Sequence, residues 1–363
     1  MRVLTLLAAM GSVLAQDTSP EKLIEAGHWK RARAVVERRL HDVPDDPNAT
    51  FLLSQIRAAF GDRTSPAALA EKAVRLDGRV ARFHRQLAEC QGLLAQHANI
   101  FQQIGLARRF RKELDTALEL EPRDVQALRD LLEFYLLAPG IAGGDVKKAD
   151  AVAQQIAGID SCEGDLAKAR VAEFRKDGKE SEARLRRAVE TCPTLYKAQI
   201  ALAEFLAAGH HDEKAAEIAA KAAIAIEPGR IQAYTILAGI YAGRQDPASL
   251  EALLLSAAAA VPDDAAPYYR AAERTLSDQG DAAKAERYLR TYVSQEPEGN
   301  EPAAAEAHWR LGLAFRAQGK EAQAAREWRV AVQLDPESPA GRELKRTRHS
   351  ENTSNTTGSG GEN

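Results

Sequence analysis

The stretch that most constrains the fold runs from residue 308 to residue 336 and has the sequence HWRLGLAFRAQGKEAQAAREWRVAVQLDP. Apolar and small residues recur at helical spacing on both sides of Gly319, which predicts two antiparallel helices joined by a tight turn. Small residues such as Gly312 and Ala324 let the two helices approach closely, and Trp328 fills the space between them. Pro336 cannot continue the second helix and ends it. The stretch is therefore a helical hairpin, and weaker copies of it extend back almost to the N-terminus.

A second hairpin repeats this spacing residue for residue. The template positions are His308, Leu311, Gly312, Phe315, Ala324, Trp328, Ala331 and Pro336, and the second set is Tyr234, Leu237, Ala238, Tyr241, Leu250, Leu254, Ala257 and Pro262. A third copy begins at Tyr268 and is slipped by one residue in its second helix. The clearest units are thus 232–262, 266–297 and 306–336.

This pattern resembles the tetratricopeptide repeat (TPR) family, whose signature has large, small and proline residues in the same register. The resemblance implies an all-α fold, a right-handed superhelical solenoid of about nine TPR-like helix-turn-helix units over residues 16–348. Degenerate units occupy the earlier chain, at 49–78, 79–122, 123–160, 164–193 and 196–228, after a first unit around Gly27 and Pro44. The third unit is longer than the family period, which predicts a second helix extended backward. The fifth, starting at residue 164, has a turn that is two residues short.

Composition excludes several classes of function. The net charge is −3 and aromatic residues make up 6% of the chain, so neither a basic nucleic-acid surface nor a set of stacking platforms is indicated. No G-x-S-x-G, H-E-x-x-H or phosphate-binding glycine loop is present. We therefore expect a non-catalytic scaffold without a cofactor, whose partner is a protein or a peptide and not a nucleic acid.

The two ends of the chain differ from the repeats. Arg2, the apolar residues 3–10 and the small residues before Gln16 are typical of a signal peptide cleaved after Ala15. This predicts a periplasmic or secreted protein with no integral membrane segment after signal removal. Residues 349–363 are of low complexity and are expected to be a disordered tail.

Two of the three cysteines lie at helix ends within one predicted unit. Cys162 lies just before the first helix of the fifth unit and Cys192 ends the second helix of that unit. Because the helices of a hairpin are antiparallel, these residues should lie side by side. Export to an oxidising compartment would then favour a Cys162–Cys192 disulfide.

The family resemblance also implies a binding surface. In TPR proteins the first helix of each unit lines a concave groove, and the inward positions, transferred by register, give candidate partner-binding residues. These are Arg129, Lys168, Arg175, Tyr269, Trp309 and Arg316. Lys168 matches one position of the clamp with which chaperone-binding TPR domains hold a C-terminal carboxylate, but Ala172 stands where that clamp has asparagine. Tyr269 and Trp309 are the best anchor candidates because aromatic residues dominate interface energetics.

Two further features leave alternatives open. An insertion at residues 138–145, APGIAGGD, lengthens the turn of the fourth unit, and a basic run at 108–112 marks the third. An enzyme accessory or an enzyme with a site at the 138–145 loop is one alternative; buried carboxylates with perturbed pKa values beside that loop would favour it. A self-associating structural protein is another, and a homo-oligomer would then pair through an exposed apolar face.

Overall fold

A computed structural model describes residues 19–209, 212–299 and 302–346. The predicted signal peptide, 1–15, and the predicted tail, 349–363, lie outside the described residues. Within them the structure contains eighteen complete α-helices, one 3₁₀ turn, a further helical segment at 340–346 and no strand. The helices are α1 (Pro20–Ala26), α2 (Trp29–Asp42), α3 (Pro47–Ala59), α4 (Ser65–Leu76), α5 (Ala81–Gln96), α6 (Ile100–Leu120), α7 (Val125–Leu137), α8 (Val146–Ile159), α9 (Ser161–Phe174), α10 (Gly178–Thr191), α11 (Tyr196–Ala207), α12 (Glu213–Ile226), α13 (Gln232–Gly243), α14 (Pro247–Ala260), α15 (Ala266–Ser277), α16 (Ala282–Val293), α17 (Ala304–Ala317) and α18 (Glu321–Leu334).

Consecutive helices pair into nine hairpins, α1 with α2 through α17 with α18, and each hairpin packs on the next. The sequence marks where many of the second helices start. An aspartate precedes them, and its carboxylate accepts a hydrogen bond from a backbone N–H of the first helical turn. These N-cap residues are Asp145, Asp177, Asp212, Asp246 and Asp281. The predicted α-solenoid is confirmed.

The core is a strip of overlapping apolar clusters instead of one central nucleus. One cluster joins α1 to α5, another joins α5 to α9, and the largest runs from α9 to the segment after α18. Alanines such as Ala188, Ala219 and Ala331 are almost fully buried where helices cross. Their small side chains set the close helix spacing, while large residues such as Trp328 fill the gaps.

The third unit has the long second helix that its sequence predicts. The helix α6 spans Ile100–Leu120 and has 21 residues, whereas the second helices of most other units have 12 to 14. At 1.5 Å per residue the excess is on the order of 10 Å. This hairpin therefore extends beyond its neighbours.

The fifth unit corrects the predicted register. Helix α9 begins at Ser161, after the N-cap Asp160, so the unit starts two residues earlier than residue 164 and its turn is of ordinary length. Counted from Cys162, the second-helix positions of the template are occupied in step with the other units. They are Ser181, Leu185, Ala188 and Pro193. The prediction failed because Asp165 then stands where the template has a large apolar residue.

Asp165 is buried nonetheless, and two arginines from α10 compensate its charge. Nη1 of Arg184 lies 3.3 Å from one carboxylate oxygen of Asp165 and Nε of Arg187 lies 3.1 Å from the other. An ionised carboxylate is tolerated inside a protein only when it is paired in this way.

Within the fifth unit the sulfur atoms of Cys162 and Cys192 are joined, with their Cα atoms 6.4 Å apart. The bond connects the start of α9 to the end of α10, as antiparallel packing of the hairpin requires. Cys90, on α5, is buried and unpaired, and its Sγ lies 3.6 Å from the hydroxyl oxygen of Ser54.

The solenoid curves far enough for its first unit to touch its eighth. Helix α2 lies against the loops that follow α14 and α16. The backbone N–H of Lys30 donates to Oε1 of Glu298 at 2.7 Å, and Lys30 Nζ donates to the carbonyl oxygens of Asp263 and Glu296 at 2.6 and 2.7 Å. These contacts join residues more than 200 positions apart in the sequence.

Charge complementarity reinforces this junction. Arg31 pairs with Asp263 at 2.7 Å, and the guanidinium of Arg33 donates two hydrogen bonds to Glu296. The side chain of Glu298 is only 2% exposed, and burial raises the pKa of its carboxyl despite the nearby Lys30. We call this set of contacts the closure. It holds α2 against the loops of the seventh and eighth units.

Candidate functional site

A cleft of about 380 Å³ lies between α7, α9 and α11, the first helices of the fourth, fifth and sixth units. Apolar side chains form its floor, among them Leu132, Leu166 and Phe205. Charged side chains form its walls. They are Arg129, Asp130, Glu133, Arg170, Glu173, Lys197 and Glu204. A floor of this kind with polar groups around it suits an extended segment of chain.

Ion pairs link the walls across units. Nε and Nη2 of Arg170 donate to the carboxylate of Glu133, on the first helix of the preceding unit, at 2.8 and 2.9 Å. Glu163 accepts from Arg129 at 3.3 Å and from Lys197 at 3.1 Å, so it bridges α7 to α11. These pairs hold the cations in fixed positions along the cleft.

The carboxylates of the cleft outnumber its cations by four to three. Burial and the neighbouring charge of Glu89 raise the pKa of Asp130 to about 7, although Arg85 pairs with both carboxylates. Desolvation, followed by the charge of Glu173, raises the pKa of Glu204, which is exposed at the rim. In both groups desolvation is the larger cause and a neighbouring carboxylate the smaller one, so a cation placed beside them would stabilise their charged forms. The cleft therefore favours a ligand that supplies a positive charge.

Of the six residues predicted to face the groove, the structure places Arg129 in this cleft. Lys168 and Arg175 lie on or just after α9 but do not line it, because the register of the fifth unit is displaced by two residues. Arg175 is exposed and pairs with Asp150 of α8. Lys168 is half-buried, and among the described residues it has no hydrogen-bond or ion-pair partner.

The two aromatic candidates differ from their predicted role. Tyr269 is 5% exposed, its hydroxyl accepts a hydrogen bond from Nε of Arg310 at 2.7 Å, and burial raises its pKa to about 12. It is a core residue and offers little surface to a partner. Trp309 is partly buried on the rim of the core, with the guanidinium of Arg310 5.3 Å from the centre of its ring.

Arg316 is likewise engaged within the chain. Its Nη1 donates to Glu343, in the helical segment 340–346 that covers the last unit, and its guanidinium lies 5.2 Å from the ring of Trp328. Tyr269, Trp309 and Arg316 lie on α15 and α17, two to three units beyond the cleft, so the six candidates do not form one site.

Sequence reasoning missed Arg170, Glu173 and Lys197. A signal for the first two was present: the family period of about 34 residues, counted back from Tyr196, begins the fifth unit at Cys162. That register places Leu166, Arg170 and Glu173 on the inward positions, where the structure has them.

The 138–145 loop contains one carboxylate, that of Asp145. It forms a 3₁₀ turn at Gly140–Ala142, and its carboxylate, Asp145, accepts hydrogen bonds from the first backbone N–H groups of α8. Burial raises the pKa values of two carboxyls outside the loop, Glu89 on α5 and Asp130 in the middle of α7. Across the described residues no group of three or more histidine, cysteine and carboxylate side chains is placed to hold a metal ion.

Comparison with known proteins identifies the fold of the chain. No protein-family model matches the chain, and no curated protein matches it. The crystal structure of yeast Tom70 is similar over 90% of this chain and 64% of its own, with 14% sequence identity and a TM-score of 0.53. The crystal structure of TTC0263, a thermophilic TPR protein of Thermus thermophilus, matches 52% of this chain and 95% of its own at 21% identity, with a TM-score of 0.46. The chain thus has a TPR-like α-solenoid fold. No described helix is both long and apolar enough to cross a membrane.

Proposed function

We propose that the protein is a non-catalytic scaffold and that the α7–α9–α11 cleft binds a segment of a partner protein carrying a basic side chain. The observation that supports this most directly is the surplus of carboxylates on the cleft walls above an apolar floor. A lysine or arginine of the partner would lie against Glu204 and Glu173, and its apolar neighbours would cover Leu166 and Phe205. Charge-assisted hydrogen bonds of this type are roughly twice as strong as neutral ones.

We infer export as well. The apolar residues 3–10 are typical of a signal peptide, and a disulfide such as Cys162–Cys192 persists in oxidising compartments. The partner would then be a protein of the cell envelope or the exterior.

The experiment is a selection from a displayed random peptide library on the purified chain, followed by affinity measurements on two variants. Ala201 lies in the cleft, so Ala201→Arg fills it with a long side chain; Ala207→Arg makes the same change on the same helix, at an exposed position outside the cleft. We expect selected peptides to contain a lysine or arginine next to apolar residues.

Their affinity should fall at least tenfold with Ala201→Arg and stay unchanged with Ala207→Arg. Glu204→Gln should weaken them by roughly 1.5–3 kcal/mol, the typical contribution of a hydrogen bond to a charged group. Peptides that bind the Ala201→Arg variant as tightly as the original chain would show that the cleft is not the site.

A further inference from the structure

Two features that the sequence leaves unconnected, the basic run at 108–112 and the 138–145 loop, lie side by side in the structure. The 3₁₀ turn of the loop packs against α6, and Ala142 shares a shallow surface cleft with Arg108, Arg111 and Lys112. This surface shares no lining residue with the α7–α9–α11 cleft and is therefore distinct from it. We call it the outer basic surface.

Its cations are available to a partner. Among the described residues Arg108, Arg109 and Lys112 are exposed and form no ion pair. Asp115 lines the same shallow cleft and pairs with Arg111 at 2.7 Å, while Glu113 contacts His84 at 2.8 Å. Glu119 also lines this cleft, is exposed, and forms no ion pair with another described residue. Lys147 and Lys148, at the start of α8 just after the loop, are exposed as well. The exposed cations here thus outnumber the one unpaired carboxylate, although the net charge of the chain is −3.

Large apolar side chains accompany these cations. Phe101 is 84% exposed and Ile141 is 78% exposed, the highest values among the large hydrophobic residues of the described chain. Phe101 is the second residue of α6 and lies at the end of the lengthened α5–α6 hairpin. With 3.6 residues per turn, Phe101, Arg108 and Lys112 fall within about 20° of one line along the helix, the cations lying about 10 and 16 Å from the aromatic residue.

The local backbone holds both apolar residues in place. Asn99 and Gln102 form a capping box, in which the Asn99 side chain accepts from the Gln102 N–H at 3.1 Å and the Gln102 side chain accepts from the Asn99 N–H at 3.3 Å. In the loop, the N–H of Gly144 donates to the carbonyl of Pro139 at 3.2 Å, and a Cβ on Gly144 would lie 1.8 Å from the carbonyl oxygen of Ala138. Phe101 and Ile141 are therefore exposed on ordered backbone.

We propose that the outer basic surface binds the surface of an anionic lipid bilayer, with Phe101 entering the interfacial region and Arg108, Arg109 and Lys112 lying against lipid phosphates. A projecting aromatic residue in line with unpaired cations is the pattern of interfacial binding, in which apolar burial adds to attraction for anionic headgroups.

The test is co-sedimentation of the full chain with vesicles of phosphatidylcholine alone and of phosphatidylcholine mixed with phosphatidylglycerol. The apolar residues 3–10 are present in every sample, so the difference between the two vesicle types is the quantity compared. The test variant is Arg108→Ala/Arg109→Ala/Lys112→Ala. The matched control is Arg38→Ala/Arg326→Ala/Arg329→Ala, which removes three exposed cations that make no described ion pair elsewhere on the solenoid.

We expect the chain to prefer the anionic vesicles. The test variant should reduce that partitioning on the order of 100-fold, since each basic residue near such a surface contributes about a fivefold factor. Phe101→Ser should weaken binding at high salt as well as low, while the control variant binds like the original chain.

Equal binding to both vesicle types, or equal loss in test and control variants, would overturn the proposal. So would binding to soluble polyglutamate that depends on Arg108, Arg109 and Lys112 while anionic vesicles are ignored, because the surface would then dock an acidic protein.

Discussion

Gly312 shows how tightly single side chains are fitted in the last complete unit. It lies on α17 directly opposite Trp328 of α18, and a Cβ at position 312 would lie 2.2 Å from the indole nitrogen of Trp328. That nitrogen donates to the carbonyl oxygen of Trp309 at 3.1 Å, and the Trp328 side chain is fully buried. The indole cannot move aside without losing its hydrogen bond and its packing.

Gly312→Ala should therefore destabilise the chain by about 1–3 kcal/mol, the usual range for overpacking. Gly105→Ala is the matched control, because Gly105 is in the middle of α6 with nothing within 4 Å of an added Cβ. It should be neutral or stabilising by up to about 1 kcal/mol, from helix propensity alone. Urea denaturation followed by circular dichroism measures both; equal effects would show that the contact between α17 and α18 can yield to an added methyl group.

Single residues also show which contacts a local sequence pattern predicts and which it does not. The template predicts Gly312 and Trp328 as packing partners, since a small and a large residue recur at those positions. It cannot say which inward-facing aromatic residues stay uncovered. Tyr269 occupies a groove position, but Arg310 from the next unit reaches over it and binds its hydroxyl. Exposure of a groove residue depends on side chains a whole unit away, which no local pattern encodes.

At the scale of elements, the hairpin of α9 and α10 is the most individual of the nine. It is joined by Cys162–Cys192 and contains the buried Asp165 with its two arginines. The adjacency of the two cysteines could be predicted from the antiparallel geometry of a hairpin. The register could not be read from hydrophobicity, because Asp165 and Lys168 stand at positions that are normally apolar. The position of Arg170 in the cleft was missed for that reason.

Replacing both Cys162 and Cys192 with alanine should destabilise the chain by about 3 kcal/mol, from the chain entropy of a loop of roughly thirty residues. The melting temperature of the original chain should fall in reductant to that of the double variant, which should not itself respond. Cys90→Ala serves as the control and should keep the full reductant response. Protein isolated from its own cells should offer no alkylatable thiol at Cys162 or Cys192; a melting temperature insensitive to reductant would show that the bond contributes nothing to folding.

At the scale of the whole molecule, the closure is what distinguishes this solenoid from a simple row of hairpins. Repeat period and unit count can be predicted from the sequence, but the curvature that brings α2 to Glu298 is the sum of small rotations over many units. In the sequence, Lys30, Arg31 and Arg33 look like an ordinary basic segment at the start of a helix. Only the structure shows that their partners come from the seventh and eighth units. The hydrophobic periodicity of a sequence reports local structure, so it does not predict long-range contacts of this kind.

Lys30→Met should open the closure, because it leaves the Glu298 carboxylate, 2% exposed, without its nearest cation. Removing one member of a buried pair typically costs about 3–5 kcal/mol, more than a small junction can absorb. Small-angle X-ray scattering should show a larger radius of gyration. Lys221→Met, which breaks an exposed pair with Glu217 on α12, should leave the scattering unchanged. A Lys30→Met profile identical to that of the original chain would mean that apolar contacts around Trp29 hold the junction.

The closure also changes the order in which the chain can reach its native state. Nearly all the other packing joins neighbouring hairpins and can form as soon as those hairpins exist, whereas Lys30 must find groups 233 to 268 residues away. Contacts of such sequence separation carry a large loop entropy unless the intervening chain is already ordered. The middle units must therefore fold first and present their loops. The contacts of α2 with the seventh and eighth units form last, although α2 can pack on α3 early.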